Sequence, residues 1–253
     1  REVAAAGLTD YPVHVKIDSG MHRVGLKNED EISTFVSMLS QCPHLHIATT
    51  FSHLATADCL DMDDYTTLQL DTFDRLSGFL RDSVPYGKDI RRHILNTAGI
   101  VRYGRTRYAY DLVRLGVGMY GISPLPGDAD QSALKTVATL RTSIIAMHKY
   151  PAGATIGYGR RGVTTRDSVI ATIPIGYADG VNRHLGCGHA SFVVEGVSCP
   201  TIGNICMDLC MIDVTDCPKA HIGSSVEIFG KHAPIQRLAE TLDTIPYEVL
   251  TSV

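Results

Sequence analysis

The sequence lacks three features that mark particular classes of protein. No apolar run approaches the roughly 20 residues that a membrane-spanning helix needs, and no secretory signal opens the chain. Basic residues are not in excess, because 23 Lys and Arg stand against 27 Asp and Glu, giving a net charge of −4 and a pI near 6.3. That balance is not the basic footprint of a nucleic-acid-binding protein. We therefore expect neither a membrane nor a nucleic acid as partner.

Paired cysteine motifs are also missing. The seven cysteines are odd in number and scattered, and they include no Cys-x-x-Cys pair. This usage is typical of reduced thiols, and it predicts a cytoplasmic protein. His184, Cys187 and His189 resemble part of a metal site, but they lie in a glycine-rich turn without a second ligand pair. No metal is predicted.

The chain does have enough apolar sequence for two domains. It contains 253 residues, of which 44% are hydrophobic. Segment 123–130, Ser-Pro-Leu-Pro-Gly-Asp-Ala-Asp, has the composition of a linker. We therefore predict domains at residues 1–128 and 129–253. The chain begins at Arg1 without a methionine and ends at Val253 inside an apolar run, so we expect an internal segment of a longer protein.

The first domain opens with a strand whose two faces differ in chemistry. Val13, Val15 and Ile17 fall on one face, whereas His14, Lys16 and Asp18 fall on the other. This alternation favours a strand of a parallel α/β barrel, with the polar face turned toward a site. A half-exposed antiparallel edge strand remains the alternative for this segment.

The rest of the first domain alternates helix and strand. An acidic helix start at 28–31 suits the helix dipole. A strand at 46–51, a long helix at 61–84 and short strand-like pieces at 93–98 and 112–116 follow. The buried side of the long helix is predicted to carry Tyr65, Leu68, Phe73, Leu76 and Leu80. Repeated βα units imply a parallel sheet, but these few units cannot close a barrel of about 250 residues. Either the sheet is open or the missing half lies upstream, and the abrupt start favours the second.

The second domain is predicted to be mainly β. One short helix should follow Pro234, with four apolar side chains on its buried face: Ile235, Leu238, Ala239 and Leu242. The predicted strands are 137–147, 168–173, 191–194, 211–214 and 226–229.

Seven short motifs together resemble one known family. They lie at 16–25, 52–58, 93–98, 113–121, 156–159, 173–180 and 203–208. In this order they resemble the alanine racemase family, whose members use pyridoxal 5'-phosphate (PLP) and combine an N-terminal barrel with a C-terminal β domain. The resemblance implies an α/β fold class: the C-terminal half of a (β/α)8 TIM-type barrel followed by a mainly β C-terminal domain. It also implies PLP as cofactor, alanine as substrate and a homodimer.

The resemblance implies that Arg114 contacts the pyridine nitrogen of the cofactor. An arginine does not give up its proton, so it leaves that nitrogen unprotonated and the ring a weaker electron sink, which favours racemisation. Backbone N–H groups of Gly116 and Val117, with Thr97 and Asn96, are expected around the phosphate. A surface salt bridge for Arg114 and a turn cap for Thr97 are the structural alternatives.

Two further residues come from the first motif. By resemblance, Arg23 contacts the phenolic oxygen of the cofactor and the carboxylate of the substrate. Lys16 resembles the lysine that holds this arginine and is carbamylated in many members, which would place an anion beside Arg23. Whether Lys16 is modified is left open by the sequence.

Tyr158 is the expected catalytic base. Racemisation needs a proton-transferring group on each face of the substrate, and a free tyrosine, with a pKa near 10, needs neighbours that lower it. The resemblance implies that His53 meets Tyr158 and Arg114, with His93 behind. A structural turn is the alternative for a tyrosine between glycines.

The resemblance also implies that Tyr158 acts across the dimer interface. By resemblance, Tyr177, Met207 and Cys206 of the same partner line the substrate pocket.

The lysine that carries PLP as a Schiff base is not recognisable. In the family it precedes Ala-x-Ala-Tyr-Gly-x-Gly, and none of the seven lysines has that context. We therefore expect it upstream of Arg1, and we expect the segment alone to be inactive.

Some features of the sequence also match other functions. Gly116-x-Gly118-x-x-Gly121 matches a dinucleotide fingerprint, but Pro124 and Pro126 follow where the motif needs a helix. A PLP decarboxylase of the same barrel class would use a carboxylate at the ring nitrogen, where this chain has Arg114. A truncated, non-catalytic dimerisation or scaffold module, and a racemase acting on serine, stay open as alternatives.

Overall fold

The computed structural model describes residues 2–125 and 134–253. The chain divides into two compact units, Arg1–Leu134 and Lys135–Val253. The boundary predicted between residues 128 and 129, and residues 126–130 of the predicted linker, lie outside the described residues. That boundary therefore stays a prediction.

The first unit is built on a parallel sheet. Strands β1 (Tyr11–Lys16), β2 (Leu45–Phe51) and β3 (Arg91–His93) pair in the order β1-β2-β3. Its helices are α1 (Glu2–Ala5), α2 (Glu29–Leu39), α3 (Asp63–Asp82) and α4 (Thr97–Tyr103). Since α2 and α3 lie between successive strands, the unit has the βαβ connectivity that parallel pairing requires.

Strand β1 follows the alternation of its sequence. Val15 and Ile17 are buried in the apolar core, whereas His14 is exposed on the opposite face. Lys16 is half-buried, and Asp18, just past the strand, is buried. Parallel pairing with β2 excludes the antiparallel edge strand.

Helix α3 turns a different face inward from the predicted one. Phe73, Leu76 and Leu80 are fully buried as expected, but Tyr65 and Leu68 are 37% and 59% exposed. The buried face instead includes the polar residues Thr66 and Gln69, which hydrogen-bond to the loop after β2. Buried polar side chains do not contribute to the apolar spacing from which a buried helix face is predicted. The predicted buried face of α3 was therefore wrong.

Two predicted strand-like pieces also differ. In the piece at 93–98, β3 ends at His93 and α4 begins at Thr97, because the Asn96 side chain caps the helix by accepting from the Gly99 N–H. The piece at 112–116 forms no strand. It makes isolated backbone hydrogen bonds, such as that from the Arg114 N–H to the Leu95 carbonyl, instead of a ladder.

The second unit is mainly β, as predicted. Its strands are β4 (Leu140–Ser143), β5 (Ala146–Tyr150), β6 (Thr155–Ile156), β7 (Gly162–Val163), β8 (Ser168–Ile173), β9 (Ser191–Val194), β10 (Val197–Pro200), β11 (Cys210–Asp213) and β12 (Ser225–Phe229). They form the antiparallel sheets β10-β9-β12-β4 and β11-β8-β5 and the pair β6-β7. Helices α5 (Ile235–Thr241) and α6 (Pro246–Thr251) follow.

The single strand predicted at 137–147 is two strands in different sheets. The chain leaves β4 and enters β5 through Ile144 and Ile145. The Ile144 N–H bonds to Ser224 beside one sheet, and the Ile145 N–H bonds to Thr172 in the other. Residues 137–147 contain no glycine or proline that would mark a turn, and the corner residues Ile144 and Ile145 are themselves apolar. Only the partner strands therefore reveal the corner between β4 and β5.

No helix within residues 2–125 and 134–253 has the length and apolar character needed to cross a membrane.

Candidate active site

Arg114 lies at the centre of a polar cluster in the first unit, at the carboxyl ends of β2 and β3. Its Nη1 donates to Nδ1 of His93 at 2.5 Å. Its Nη2 lies 3.2 Å from Nδ1 of His53 and donates to the carbonyl oxygens of Ser52 and Ile94. Within residues 2–125, the contacts of this guanidinium are to imidazole nitrogens and carbonyl oxygens, none of them a carboxylate. The surface salt bridge, the structural alternative for Arg114, is therefore absent among these residues.

The two histidines of this cluster are neutral at physiological pH. Burial, and then the positive charge of Arg114, lowers the pKa of His53 and of His93 to about 4. Because a guanidinium only donates, Nδ1 of each ring must accept and the proton must lie on Nε2. His53 thus offers an Nε2–H donor on the side away from Arg114.

Behind His93, the polar contacts continue across the sheet. Its Nε2 faces Oγ1 of Thr49 at 3.4 Å, and the same hydroxyl lies 2.5 Å from Nδ1 of His14. Phe51 stacks on the His93 ring and underlies Arg114 and Lys16, each charged atom lying 5.4 Å from the ring centroid. Thr49 and Phe51 were not predicted from the sequence. The signal was present, because both share one face of β2.

The first motif brings positive charge to the same end of the sheet. Burial, then Arg23 and Arg114, lowers the pKa of Lys16. Although burial opposes it, N–H groups of His22 and Gly20 lower the pKa of Asp18, whose Oδ1 closes this turn. Arg23 itself is exposed on the loop.

The residues expected around the phosphate lie together. Oγ1 of Thr97 accepts from the N–H of Gly116 at 3.0 Å and of Gly118 at 3.5 Å, at the start of the 3-10 turn Val117–Tyr120. A Cβ at Gly118 would lie 2.8 Å from Cγ2 of Thr97, so glycine permits this close approach. The Asn96 side chain oxygen is occupied as the cap of α4.

The residues of this cluster fit PLP. Arg23 and Arg114 supply two permanent cations beside Lys16, with Asp18 as the nearby carboxylate. Such a field suits a ligand that carries a phosphate and a phenolate. Arg114 is a permanent donor for a ring nitrogen.

Tyr158 lies in the second unit, at the start of the 3-10 turn Tyr158–Arg160, and is 72% exposed. It stands between Gly157 and Gly159, whose φ angles of 74° and 64° favour glycine. Its carbonyl accepts from Nδ2 of Asn204 at 3.0 Å, which ties this turn to the loop at 203–208. Its meeting with His53 stays a prediction.

The three residues expected at the substrate also lie together in the second unit. The Tyr177 N–H donates to the Cys206 carbonyl, and the Ala178 N–H donates to the Met207 carbonyl, each at 3.0 Å. A Cβ at Gly176 would lie 2.2 Å from the Met207 carbonyl oxygen, so only glycine lets the loops approach so closely. Tyr177 and Met207 are 42% and 54% exposed.

Comparison with known proteins identifies the family. The N-terminal domain model of alanine racemase matches residues 1–124, and the C-terminal domain model matches residues 137–253.

The chain belongs to the alanine racemase family.

Similar proteins cover nearly all of this chain. The alanine racemase of Clostridium novyi is 37% identical over 249 residues, covering 95% of the chain and 62% of the relative. The solved alanine racemase of Clostridium difficile 630 matches 100% of the chain and 64% of that protein, with a TM-score of 0.88 and 31% identity. The alanine racemase of Bartonella henselae with covalently bound pyridoxal phosphate covers 95% and 64%, with a TM-score of 0.80 and 30% identity.

Two facts follow for this member of the alanine racemase family. The predicted fold class, a barrel half followed by a β domain, is confirmed by likeness to family members of solved structure. The chain spans about 62% of the length of the curated relatives it matches.

The weak metal motif has ordinary contacts. The Cys187 Sγ donates to Oδ1 of Asn204, and Nδ1 of His189 bonds to the His184 carbonyl. No group of three or more metal-binding side chains occurs in the part of the chain that the structure describes.

Proposed function

We propose that the protein containing this chain interconverts L-alanine and D-alanine with PLP and two bases, as a cytoplasmic homodimer that supplies D-alanine for peptidoglycan. The observation that carries this is Arg114, a half-buried guanidinium held by two neutral imidazoles. The relatives named alanine racemases support it further.

Arg114 decides which reaction the site favours. Bound PLP would supply the electron-accepting ring that makes the α-proton of an amino acid removable. Arg114 would donate to the pyridine nitrogen without protonating it, because its own proton is permanent. A weaker sink favours return of the proton to the same α-carbon over its transfer elsewhere.

Other residues of the first unit would hold and orient the cofactor and the substrate. The Thr97 hydroxyl, which accepts from the Gly116 N–H, and the backbone at Gly116 and Val117 would lie around the phosphate, next to the helix cap Asn96. Arg23 would pair with the phenolic oxygen and the substrate carboxylate.

Lys16 would stand beside Arg23 as a carbamate. Burial, then Arg23 and Arg114, lowers its pKa, which raises the fraction of neutral amine that can react with CO2. The resulting anion would fix the guanidinium of Arg23 in place.

Tyr158 of the partner subunit is the proposed base on one face of the substrate. The Nε2–H of His53 would donate to its phenolic oxygen, while Tyr177, Met207 and Cys206 would line the pocket from the same subunit. The lysine that holds PLP is the proposed second base, and none of the seven lysines of this chain has its motif context.

The second candidate is a non-catalytic dimerisation module of the same fold, because such a module would also lack the motif that follows the PLP lysine. The two candidates differ in one respect that sequence can check: the parent polypeptide of an active racemase carries Lys-Ala-x-Ala-Tyr-Gly. Serine is the alternative substrate.

The test is proton exchange by the full-length protein loaded with PLP in D2O. Wild type should racemise alanine from both enantiomers. Tyr158→Phe should stop racemisation while one enantiomer still exchanges its α-proton and the other does not, because one base remains. Tyr11→Phe, at an exposed tyrosine of β1, is the matched control. Equal loss of exchange from both enantiomers would give Tyr158 a structural role.

A further inference from the structure

Helix α3 places one fully buried amide against the loop after β2. Gln69 is 0% exposed. Its Oε1 accepts from the Ala55 N–H at 2.8 Å, and its Nε2 donates to the His53 carbonyl at 3.3 Å. Since one partner is an N–H and the other a carbonyl, the orientation of the amide is fixed. The side chain bonds to the residues on either side of Leu54, much as a neighbouring strand would.

The ends of this loop are held by arginines, because Arg114 donates to the Ser52 carbonyl and Arg102 donates to the Ala57 carbonyl, whereas its middle is not. It begins where the Ser52 N–H bonds to the His93 carbonyl, and its next backbone hydrogen bond joins Cys59 to Thr56. Between them, in the described part of the chain, no backbone-to-backbone hydrogen bond restrains residues 53–55. Their two hydrogen-bonded backbone groups are the two bound by Gln69.

The same face of α3 also contacts the loop after β1. Tyr65, one turn before Gln69, donates its hydroxyl to the Gly20 carbonyl at 2.6 Å. A Cβ at Gly20 would lie 3.0 Å from both Cγ of Gln69 and the Tyr65 hydroxyl. The Ser19 and Ser52 hydroxyls join the two loops directly, at 2.7 Å. Gln69 thus lies where the loop leading to Arg23 and the loop carrying His53 meet.

We propose that Gln69 is a positioning residue for the reaction: it fixes the backbone of His53 so that the imidazole keeps Nδ1 toward Arg114 and Nε2 toward the substrate side. This rests on the proposed function for its catalytic consequence. The hydrogen bond between His53 and Arg114 is already long, at 3.2 Å, and His53 lies on a loop. A small shift of the backbone would therefore break it. A displacement of about 1 Å at such a site can cost roughly a hundredfold in rate.

The experiment compares Gln69→Met, which keeps length and loses both hydrogen bonds, with Thr66→Val in the full-length PLP-loaded protein. Thr66 is the matched control, because it is equally buried on α3 and bonds to Thr56 in the same loop but not to His53. Gln69→Met should lower kcat about ten- to a hundredfold with KM for alanine within about twofold. Thr66→Val should leave both nearly unchanged.

A second readout does not depend on turnover. Titration of the His53 ring by NMR of 13C-labelled histidine should show a pKa near 4 in wild type and Thr66→Val. In Gln69→Met, the pKa should move toward 6.5, because the ring is no longer held in its buried place beside Arg114.

Gln69→Glu keeps the test decisive if Gln69→Met fails to fold. A protonated glutamic acid can accept from Ala55 and donate to His53, whereas a carboxylate cannot donate. Its activity relative to wild type should therefore rise as pH falls. An unchanged His53 titration in Gln69→Met, or a Gln69→Glu to wild-type ratio independent of pH, would overturn the proposal. Wild type that fails to racemise alanine but shows these His53 shifts would overturn the proposed function and leave the positioning role standing.

Discussion

At the scale of single residues, the proposed chemistry depends on one cation, Arg114, which is surrounded by hydrogen-bond acceptors. Arg114 only donates, and its imidazole partners, His53 and His93, are held neutral by burial and by Arg114 itself. Each group thereby fixes the protonation of the next. A carboxylate in place of Arg114 would reverse that order, because it would accept a hydrogen bond from a protonated ring nitrogen.

Arg114→Glu tests this reversal. A carboxylate at this position would stabilise a protonated pyridine nitrogen and so strengthen the electron sink. The variant should release more pyruvate per D-alanine formed, as a transamination side product, with racemisation slowed. Pyruvate and D-alanine are quantified together, with Arg114→Gln as the neutral control. A product ratio equal to that of wild type would remove the tuning role of Arg114.

The neutral histidines also predict a pH dependence of stability. Both have a folded-state pKa near 4 against about 6.5 when unfolded. Between these values the unfolded chain binds more protons, so the free energy of unfolding should fall as pH is lowered from about 6.5 toward 4 and stay flat above. Urea unfolding of His93→Gln should show a smaller fall than wild type. The exposed His148→Gln is the control. An identical slope in His93→Gln would contradict the neutral, buried state.

At the scale of elements, the sequence predicted the order of strands and helices better than their faces and ends. The alternation in β1 was correct because apolar and polar residues strictly alternate there. The face of α3 was wrong because Thr66 and Gln69 are buried through hydrogen bonds with a loop, which leaves no apolar signature. The corner at Ile144 was not predicted for a different reason, since no glycine or proline interrupts residues 137–147.

In the candidate site, too, some residues were predicted from the sequence and others were not. Motifs predicted the side chains that are proposed to contact PLP and substrate, and the structure brings Arg114, His53 and His93 together. Gln69, the proposed positioning residue, was not predicted because its two hydrogen bonds go to backbone groups of a neighbouring loop.

Helix α3 gives a direct test of which face is buried. Phe73 is fully buried and packs edge-on against Tyr110, whereas Leu68 is 59% exposed. Phe73→Ala should lower the free energy of unfolding by about 3–5 kcal/mol. Leu68→Ala should change it by less than about 0.5 kcal/mol. Urea unfolding measures both, and comparable losses would contradict the observed face.

At the scale of the whole molecule, the proposed site is divided between the two units. The groups expected around PLP lie in the first unit, and Tyr158, Tyr177, Cys206 and Met207 lie in the second. The proposed homodimer would complete each site with the second unit of the partner. A shared site of this kind lets two different defects be separated onto different protomers.

Mixed dimers test the shared site. Arg114→Leu and Tyr158→Phe should each be inactive alone in the full-length protein. After mixing and reassembly, half of the dimers are mixed and one of their two sites is intact, so activity should recover to about a quarter of wild type. Mixing Tyr158→Phe with Tyr158→Ala is the control, because no intact site can form. Absence of recovery in the first mixture would place both residues in sites within one protomer.

The most direct measurement is the conversion of L-alanine by the full-length protein in D2O, with and without PLP, followed by chiral chromatography and by NMR of the α-proton. The account predicts that D-alanine forms only with PLP, continues until the enantiomers are equal, and carries deuterium at the α-carbon. A folded, PLP-loaded protein that forms no D-alanine would contradict it.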